Sequence, residues 1–466
     1  MSGHITTCIE RTKTEIHHRM KILVIGSGGR EHALCWALRE RGREKQSLFC
    51  APGNAGIAEV ARRVPVSATD VPALASFAES ERIDLTIVGG EATLAAGLAD
   101  EFQERGLVVA GPPRRAAQLE SSKIFAKEFM ARYRIPTAHF RSANSASEAR
   151  AILRSGEFGT EDTPVVIKAD GLAAGKGVVV AYTRDEAESA IEDLMKGRGV
   201  SGEAGGGVVI EEALEGREVS LLLWTDGSDY ILMPAARDHK RIGERDTGPN
   251  TGGMGAITAP EVLDEHLQSL IVRDIVEPTL DGARRDGLRF SGVLFIGLML
   301  TDAGARVLEY NVRFGDPEAQ AILVRLQSSL VDMFEAVAHR RLGHTRVEWS
   351  DDASACVVLV ARGYPERPET GARIEGLETT ARESPAVKIF HAGTEQSDDN
   401  NLIVSGGRVL GVTAAAATLD TALQHCYAAI DDIRWDGMQY RRDIGRFTAD
   451  SRQQAAGSEG SKATSN

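Results

Sequence analysis

Between residues 20 and 120, short apolar runs alternate with amphipathic stretches. Lys21–Gly26 reads as a buried strand running into a glycine turn and a helix from about Glu31 to Arg41. Ser47–Cys50 is a second short strand, and Leu85–Gly89 and Leu107–Ala110 are further apolar runs. Helical spacing marks Val71–Glu79 and Leu94–Arg105 between them. Strands alternating with helices predict a parallel α/β sheet here.

The pattern then changes. Ser122–Tyr133 reads as a helix that Ile135-Pro136 ends. Residues 164–224 read as strand, loop, strand, helix, strand, strand, a small α+β unit. Residues 238–256 show no periodicity and are rich in Gly and ionisable side chains, and 262–286 are helical. Strands Gly292–Leu300 and Ala305–Phe314 are joined by the turn Asp302-Ala303-Gly304. Residues 353–446 form a last β-rich region, with strands near Ala355–Ala361, Val387–His391 and Gly407–Thr413 and a helix at 419–431.

Alternation within Val307–Phe314 carries chemistry. Side chains in a strand point to opposite faces in turn. Leu308, Tyr310, Val312 and Phe314 share one face; Glu309, Asn311 and Arg313 share the other. A carboxylate, an amide oxygen and a guanidinium in line suit a metal–phosphate assembly: hard oxygens for the cation, a fork of donors for phosphate. The ordinary alternative is a solvated, salt-bridged face.

Length and charge narrow the field. The 466 residues suggest two to four domains. A net charge of −13 opposes general nucleic-acid binding but permits a local basic pocket. Five scattered cysteines make neither a disulfide framework nor a thiolate metal site and point to a reducing compartment. No apolar run approaches the ~18 residues of a membrane span. Residues 1–19 are polar and expected to be a disordered extension, with Met20 the alternative start; the low-complexity tail, 447–466, is expected to be mobile.

Gly26-Ser27-Gly28-Gly29-Arg30-Glu31-His32 follows a strand and opens a helix. It is not a dinucleotide fingerprint, because Glu31 stands where the third glycine belongs and the second strand ends at Ala51 with no acidic residue. It can still hold one phosphate at a helix N-terminus. Gly171–Gly177, between Pro164–Asp170 and Val178–Ala181, is not a Walker loop either: the spacing is a residue short and β-branched residues follow. It predicts a hairpin with a flexible glycine tip able to close over a triphosphate. Lys168, inside an apolar strand, needs an anionic partner if buried. Val208–Glu218 is a strand and acidic turn. Asp238–Arg241 with Asp246–Gly255 is a glycine-rich stretch whose backbone amides can approach an anion. Tyr364, Trp224, Trp435 and Cys35 read as packing.

Assembled, these strings resemble the ATP-grasp ligases, and among them the branch that couples glycine to 5-phosphoribosylamine. The resemblance runs from about Met20 to Gly445. It rests on Gly28–Leu34, Pro52–Gly56, Ile167–Gly177, Asp238–Arg241, Thr247–Gly255, Asn311–Glu318, His391–Thr394, Ser405–Thr413 and Tyr440–Gly445. It implies α/β and α+β architecture. An N-terminal parallel α/β domain over 20–122 would precede an ATP-grasp body over 123–345 with a mobile lid at about 141–212, then a β-rich C-terminal domain over 346–446. ATP is the implied cofactor, with Mg²⁺ or Mn²⁺ on Glu309 and Asn311. Lys123 and Lys168 match the nucleotide-phosphate lysines, helped by Gly175, Lys176 and Gly177. Glu211 and Leu214 match the adenine hinge, and Glu218 the ribose contact. Arg313, Lys168 and Asp316 are the implied catalytic group. Gly28, Gly29, Arg30, Glu31, Asn54, Asp238, Lys240, Asn250, Gly252, Gly253 and Arg408 are the implied contacts to glycine and phosphoribosylamine. Other ATP-grasp enzymes usually add an acidic ligand where Gly297 stands, and Gly90 and Thr93 replace two prolines common in this branch. The implied enzyme is cytoplasmic, touches neither nucleic acid nor membrane, and is a monomer, with a dimer as the alternative. A different acceptor and a silent nucleotide-binding module are the rival readings.

Overall fold

The computed structural model describes residues 19–42, 46–173, 177–196 and 206–446. Residues 1–18, 447–466, Gly175 and Lys176 lie outside them.

The first apolar runs form a five-stranded parallel sheet, ordered Arg62–Arg63, Gln46–Pro52, Met20–Gly26, Leu85–Val88 and Val109–Ala110. Ile22, Leu23, Val24 and Ile25 are fully buried, because helices cover both faces of a parallel sheet. The first strand delivers the chain through Gly28 into the helix Gly29–Glu40.

Two antiparallel sheets follow. The smaller pairs Phe140–Ala143, Val208–Glu212, Val165–Ala169 and Val178–Ala181 in that order. The hairpin read around Gly171–Gly177 is present, with Lys168 opposite Val178. The body sheet is ordered Tyr230–Leu232, Arg217–Thr225, Gly292–Thr301 and Gly304–Asn311. From this sheet Trp224 stacks on Trp349 at 5.8 Å and meets Phe314 edge-on.

One expectation is met with a refinement and one needs correction. The helical stretch read at 262–286 is present as a continuous run from Glu265 to Arg285, with a π-helical turn at Val272–Val276 inside it. The aperiodic segment 238–256 is not one loop. Arg237–Asp238 and Gly255–Thr258 are strands of the C-terminal sheet, followed there by Ala353–Val360, Arg408–Ala416 and Val387–His391. Between them Arg241–Gly243 pairs with Thr247–Asn250. Glycine content hid the alternation, since strands this short carry too few apolar side chains to show a period of two. No described helix is long and apolar enough to cross a membrane.

Candidate active site

The strand Gly304–Asn311 supplies the centre of the site, and its register departs from simple alternation. Gly297 pairs with Glu309 but Leu298 pairs with Val307, so Leu308 is an extra residue in a bulge. Val307 and Tyr310 go into the core, whereas Leu308 joins Glu309, Asn311 and Arg313 on the wall of a cavity of about 460 Å³. The expectation that Leu308 shares the core face is therefore wrong. The strand also ends at Asn311, three residues early, although Arg313 still faces the cavity. A Cβ on Gly297 would come within 3.3 Å of Glu309 Cγ, so glycine there leaves the Glu309 side chain its space.

Cations surround Glu309. Lys123 Nζ lies 3.3 Å from its Oε2, and Lys168 and Lys240 line the same cavity. Burial alone would raise the carboxyl, but Lys123, Lys240 and Lys168 outweigh it and hold Glu309 well below the usual carboxylate range. Asn311 Oδ1 accepts from Arg313 Nη2 at 3.1 Å. One ionised carboxylate and one amide oxygen form a lean donor set. No cluster of three or more His, Cys, Asp or Glu suited to a metal exists among the described residues. That suits Mg²⁺, which keeps waters and completes its shell with substrate phosphates rather than an all-protein cage.

Arg313 is fixed from two other elements. Its Nη2 donates to Glu120 Oε1 at 2.6 Å and its Nε to Glu91 Oε2 at 3.3 Å. Arg30 Nη1 and Arg313 Nη1 both donate to the Phe314 carbonyl, at 3.1 and 3.0 Å. Burial would raise Glu91, yet Arg313 and Arg30 hold it down at about 2. Burial pushes the Glu120 carboxyl up, with Arg313 opposing. Glu31 closes the glycine loop: its Oε2 accepts from Gly28 N at 2.6 Å and its Oε1 from Arg30 Nε at 2.6 Å. That is why the third glycine of a dinucleotide loop is absent: a carboxylate caps the turn from within.

Lys168 Nζ donates to the Leu308 carbonyl at 3.0 Å and pairs with Glu211 Oε1 at 2.9 Å. Glu211 Oε2 pairs in turn with Lys127 Nζ at 3.0 Å. Burial pushes the Lys127 ammonium down to about 8, with Glu211 opposing. Asp170, at the end of the same hairpin strand, accepts from Ser122 Oγ at 2.9 Å and Ile124 N at 3.1 Å, tying the small sheet to the helix Lys123–Arg132. Glu212, Ala213, Leu214 and Gly177 complete this wall.

The opposite wall is Asp238, Lys240, Asn250, Gly252, Asp316 and Arg408. Lys240 Nζ pairs with Glu218 Oε2 at 2.8 Å. Burial opposes the Lys240 charge, but Glu218, Glu309 and Asp238 raise its pKa. Arg408 bonds Asp316 Oδ2 at 3.0 Å and the Gly252 carbonyl, and Gln320 donates to Asp316 Oδ1 at 2.8 Å. Despite burial, Arg408 and Arg30 keep Asp316 low. Asp238 Oδ1 has no hydrogen-bond partner among the described residues, and burial, then Glu318, pushes this carboxyl up. A clamp holds the segment from outside. The buried Arg441 binds the Arg241 carbonyl, Asp246 and Asp443, and His239 Nε2 accepts from Gly445 N at 3.0 Å.

Some expected contacts stand off the cavity wall. Asn54 spends its side chain on the carbonyls of Ser27 and His391, at 2.8 and 2.7 Å, and on Ile57 N. Gly28, Gly29 and Glu31 sit one layer behind Arg30, and Gly253 packs against Pro317 and Asp238. Gly175 and Lys176 lie outside the described residues. Tyr364 is more than packing, since its hydroxyl accepts from Gly252 N at 2.9 Å. Sequence reasoning missed Glu120 and Lys127. Each interrupts the buried stripe of its helix, Ala116, Ala117 and Leu119 in one and Ala126, Phe129 and Met130 in the other, and that interruption was the available signal.

Comparison with known proteins agrees along the whole described chain. Residues 20–120 match the N domain of phosphoribosylglycinamide synthetase, 121–319 its ATP-grasp (A) domain, and 354–447 its C domain. The phosphoribosylamine–glycine ligase of Vibrio cholerae serotype O1 is 45% identical over 439 residues, covering 94% of this chain and 100% of that protein. That of Escherichia coli K12 is 45% identical over 429 residues, covering 91% and 98%. The crystal structure of phosphoribosylamine–glycine ligase from Thermotoga maritima superposes with a TM-score of 0.78 at 33% identity, covering 91% of this chain and 100% of that one. Biotin carboxylase from Campylobacter jejuni, at 14% identity and TM-score 0.67 over 90% and 92% of the two chains, shares the fold.

Proposed function

The chain belongs to the phosphoribosylglycinamide synthetase family, and on that premise we infer that the cavity beside Glu309 is where its ligase chemistry takes place. The protein is an ATP-grasp carbon–nitrogen ligase of purine biosynthesis. It joins glycine to 5-phosphoribosylamine and splits ATP to ADP and phosphate. The glycine carboxylate attacks the γ-phosphorus and displaces ADP, giving glycyl phosphate. The amine of phosphoribosylamine then attacks the acyl carbon, and phosphate leaves. No enzyme nucleophile is needed, so the protein's task is to position and to balance charge.

The observation that carries this reading is the ring of Lys123, Lys168, Lys240 and Arg313 around Glu309 and Asn311 in one cavity. Carboxylates behind them, Glu211, Glu218, Glu91 and Glu120, hold Lys168, Lys240 and Arg313 on the wall beside Glu309, where their remaining N–H groups can serve a polyphosphate. Lys123 and Lys168 would bind the nucleotide phosphates, with Leu214 and the Glu211–Leu214 turn against the base. Glu309 and Asn311 would hold Mg²⁺, which supplies charge neutralisation on the phosphates when bound. Arg313, immobilised by Glu120 and Glu91, would hold the transferring phosphoryl group. Asp238, Lys240, Asn250, Gly252, Asp316 and Arg408 would hold glycine and the acceptor. The Gly171–Gly177 tip would exclude water, because an acyl phosphate is otherwise hydrolysed.

The test is ADP release from ATP and glycine, with and without phosphoribosylamine generated in situ. Release that requires both, at about one ADP per amide formed, is the expected result. Release indifferent to the amine would remove the acceptor assignment, and no release would favour a silent nucleotide-binding module.

A further inference from the structure

Lys127 does not line the cavity, yet it is one of the most deeply buried charges in the protein, with its side chain 3% exposed. It stands behind Glu211, whose side chain is 2% exposed, and Glu211 stands behind Lys168. The row is +, −, +, with contacts of 3.0 and 2.9 Å. Lys127 is anchored in turn: its Nζ donates to Thr137 Oγ1 at 2.7 Å, and Thr137 donates to the Val307 carbonyl at 2.6 Å. Val307 begins the bulge that carries Leu308 into the cavity, and Leu308 is the residue whose carbonyl accepts from Lys168.

The electrostatics of this row are lopsided without its inner member. A lone Glu211–Lys168 pair is neutral, and a neutral buried pair has little attraction left for an anion. With Lys127 in place the row carries a net positive charge, and its exposed end is the Lys168 ammonium. We propose that Lys127 is a positioning residue for nucleotide binding: by neutralising Glu211 from behind, it leaves the charge of Lys168 available to a phosphate in the cavity. The proposal rests on the assignment of Lys168 to the nucleotide phosphates.

The experiment compares wild type with Lys127→Met, Lys127→Arg and the charge-compensated double variant Lys127→Met/Glu211→Gln. ADP dissociation constants are measured by calorimetry, and KM values for ATP and for glycine by steady-state kinetics. Folding of each variant is verified by circular dichroism. Removing one buried charge so close to Lys168 should weaken ADP roughly tenfold or more in Lys127→Met and raise the ATP KM in step, with the glycine KM unchanged. Lys127→Arg should keep most of the affinity. The double variant, whose row again carries a single net positive charge, should regain most of what Lys127→Met loses. Wild-type ADP affinity in Lys127→Met overturns the proposal. So do equal losses toward ATP and glycine, or a double variant weaker than the single, since both mean that Lys127 only supports packing. A wild-type protein that binds no ADP would instead overturn the nucleotide assignment itself, and the proposal with it.

Discussion

Glu120 holds Arg313 and the residue before it: Oε1 accepts from the Arg313 guanidinium at 2.6 Å, and Oε2 accepts from the backbone nitrogen of Val312 at 2.8 Å. The side chain of Arg313, which we propose holds the transferring phosphoryl group, and the main chain just before it are thus set by one carboxylate 193 residues away in sequence. Arg313→Ala should cost roughly a hundredfold or more in kcat while ADP still binds. Glu120→Gln should lose about tenfold, because its amide presents a donor to a donor. The double variant should be no worse than Arg313→Ala alone, as residues acting as one unit are not additive. Turnover measured on the four proteins decides this, and wild-type rates in Arg313→Ala would sink the assignment.

Lys240, which we propose contacts the acceptor, pairs with Glu218. Lys240→Ala should raise the KM for phosphoribosylamine more than the KM for ATP. Glu218→Ala should then have a smaller effect in that background than in wild type, because the pair is already broken. Equal rises in both KM values would move Lys240 out of the acceptor pocket.

Glu91 gives a pH signature. Its folded pKa of about 2 lies below the ~4.3 of a free glutamate, held down by Arg313 and Arg30 against burial. A depressed carboxylate stabilises fully above its unfolded pKa and loses that contribution as pH falls toward the folded value. Denaturant unfolding of wild type and Glu91→Gln should therefore differ most above pH ~4.5 and converge as the medium is acidified. A constant gap down to pH ~3 would contradict the ion-pair geometry.

Gly89 leaves no room for a methyl group. A Cβ there would fall 2.6 Å from Glu31 Cγ and 2.7 Å from Cδ. Gly89→Ala should push Glu31 off the Gly28 amide and cost about 1–3 kcal/mol. Thermal unfolding measures the loss, and an unchanged midpoint would mean that the Glu31 cap can shift freely.

How much of this was legible depended on sequence distance. Period-two alternation put Glu309, Asn311 and Arg313 on one face because that rule needs only neighbours. It misplaced Leu308, since a bulge is decided by the partner strand and by Gly297, not by the strand's own residues. The hairpin around Gly171–Gly177 was readable from β-branched flanks and glycine. The strands Arg237–Asp238 and Gly255–Thr258 were not, because they are completed by Ala353–Val360, about a hundred residues on. Asn54 is a ligand contact by resemblance alone. Only the fold reveals His391 waiting for its amide.

The clamp on residues 238–255 has a bearing on synthesis. Arg441 and Gly445 reach back about two hundred residues to hold that segment, from the last stretch of the described chain. Domains fold in order as they leave the ribosome. In a nascent chain Lys123, Lys168 and the strand Gly304–Asn311 therefore leave the ribosome well before the residues that hold the segment 238–255 in place.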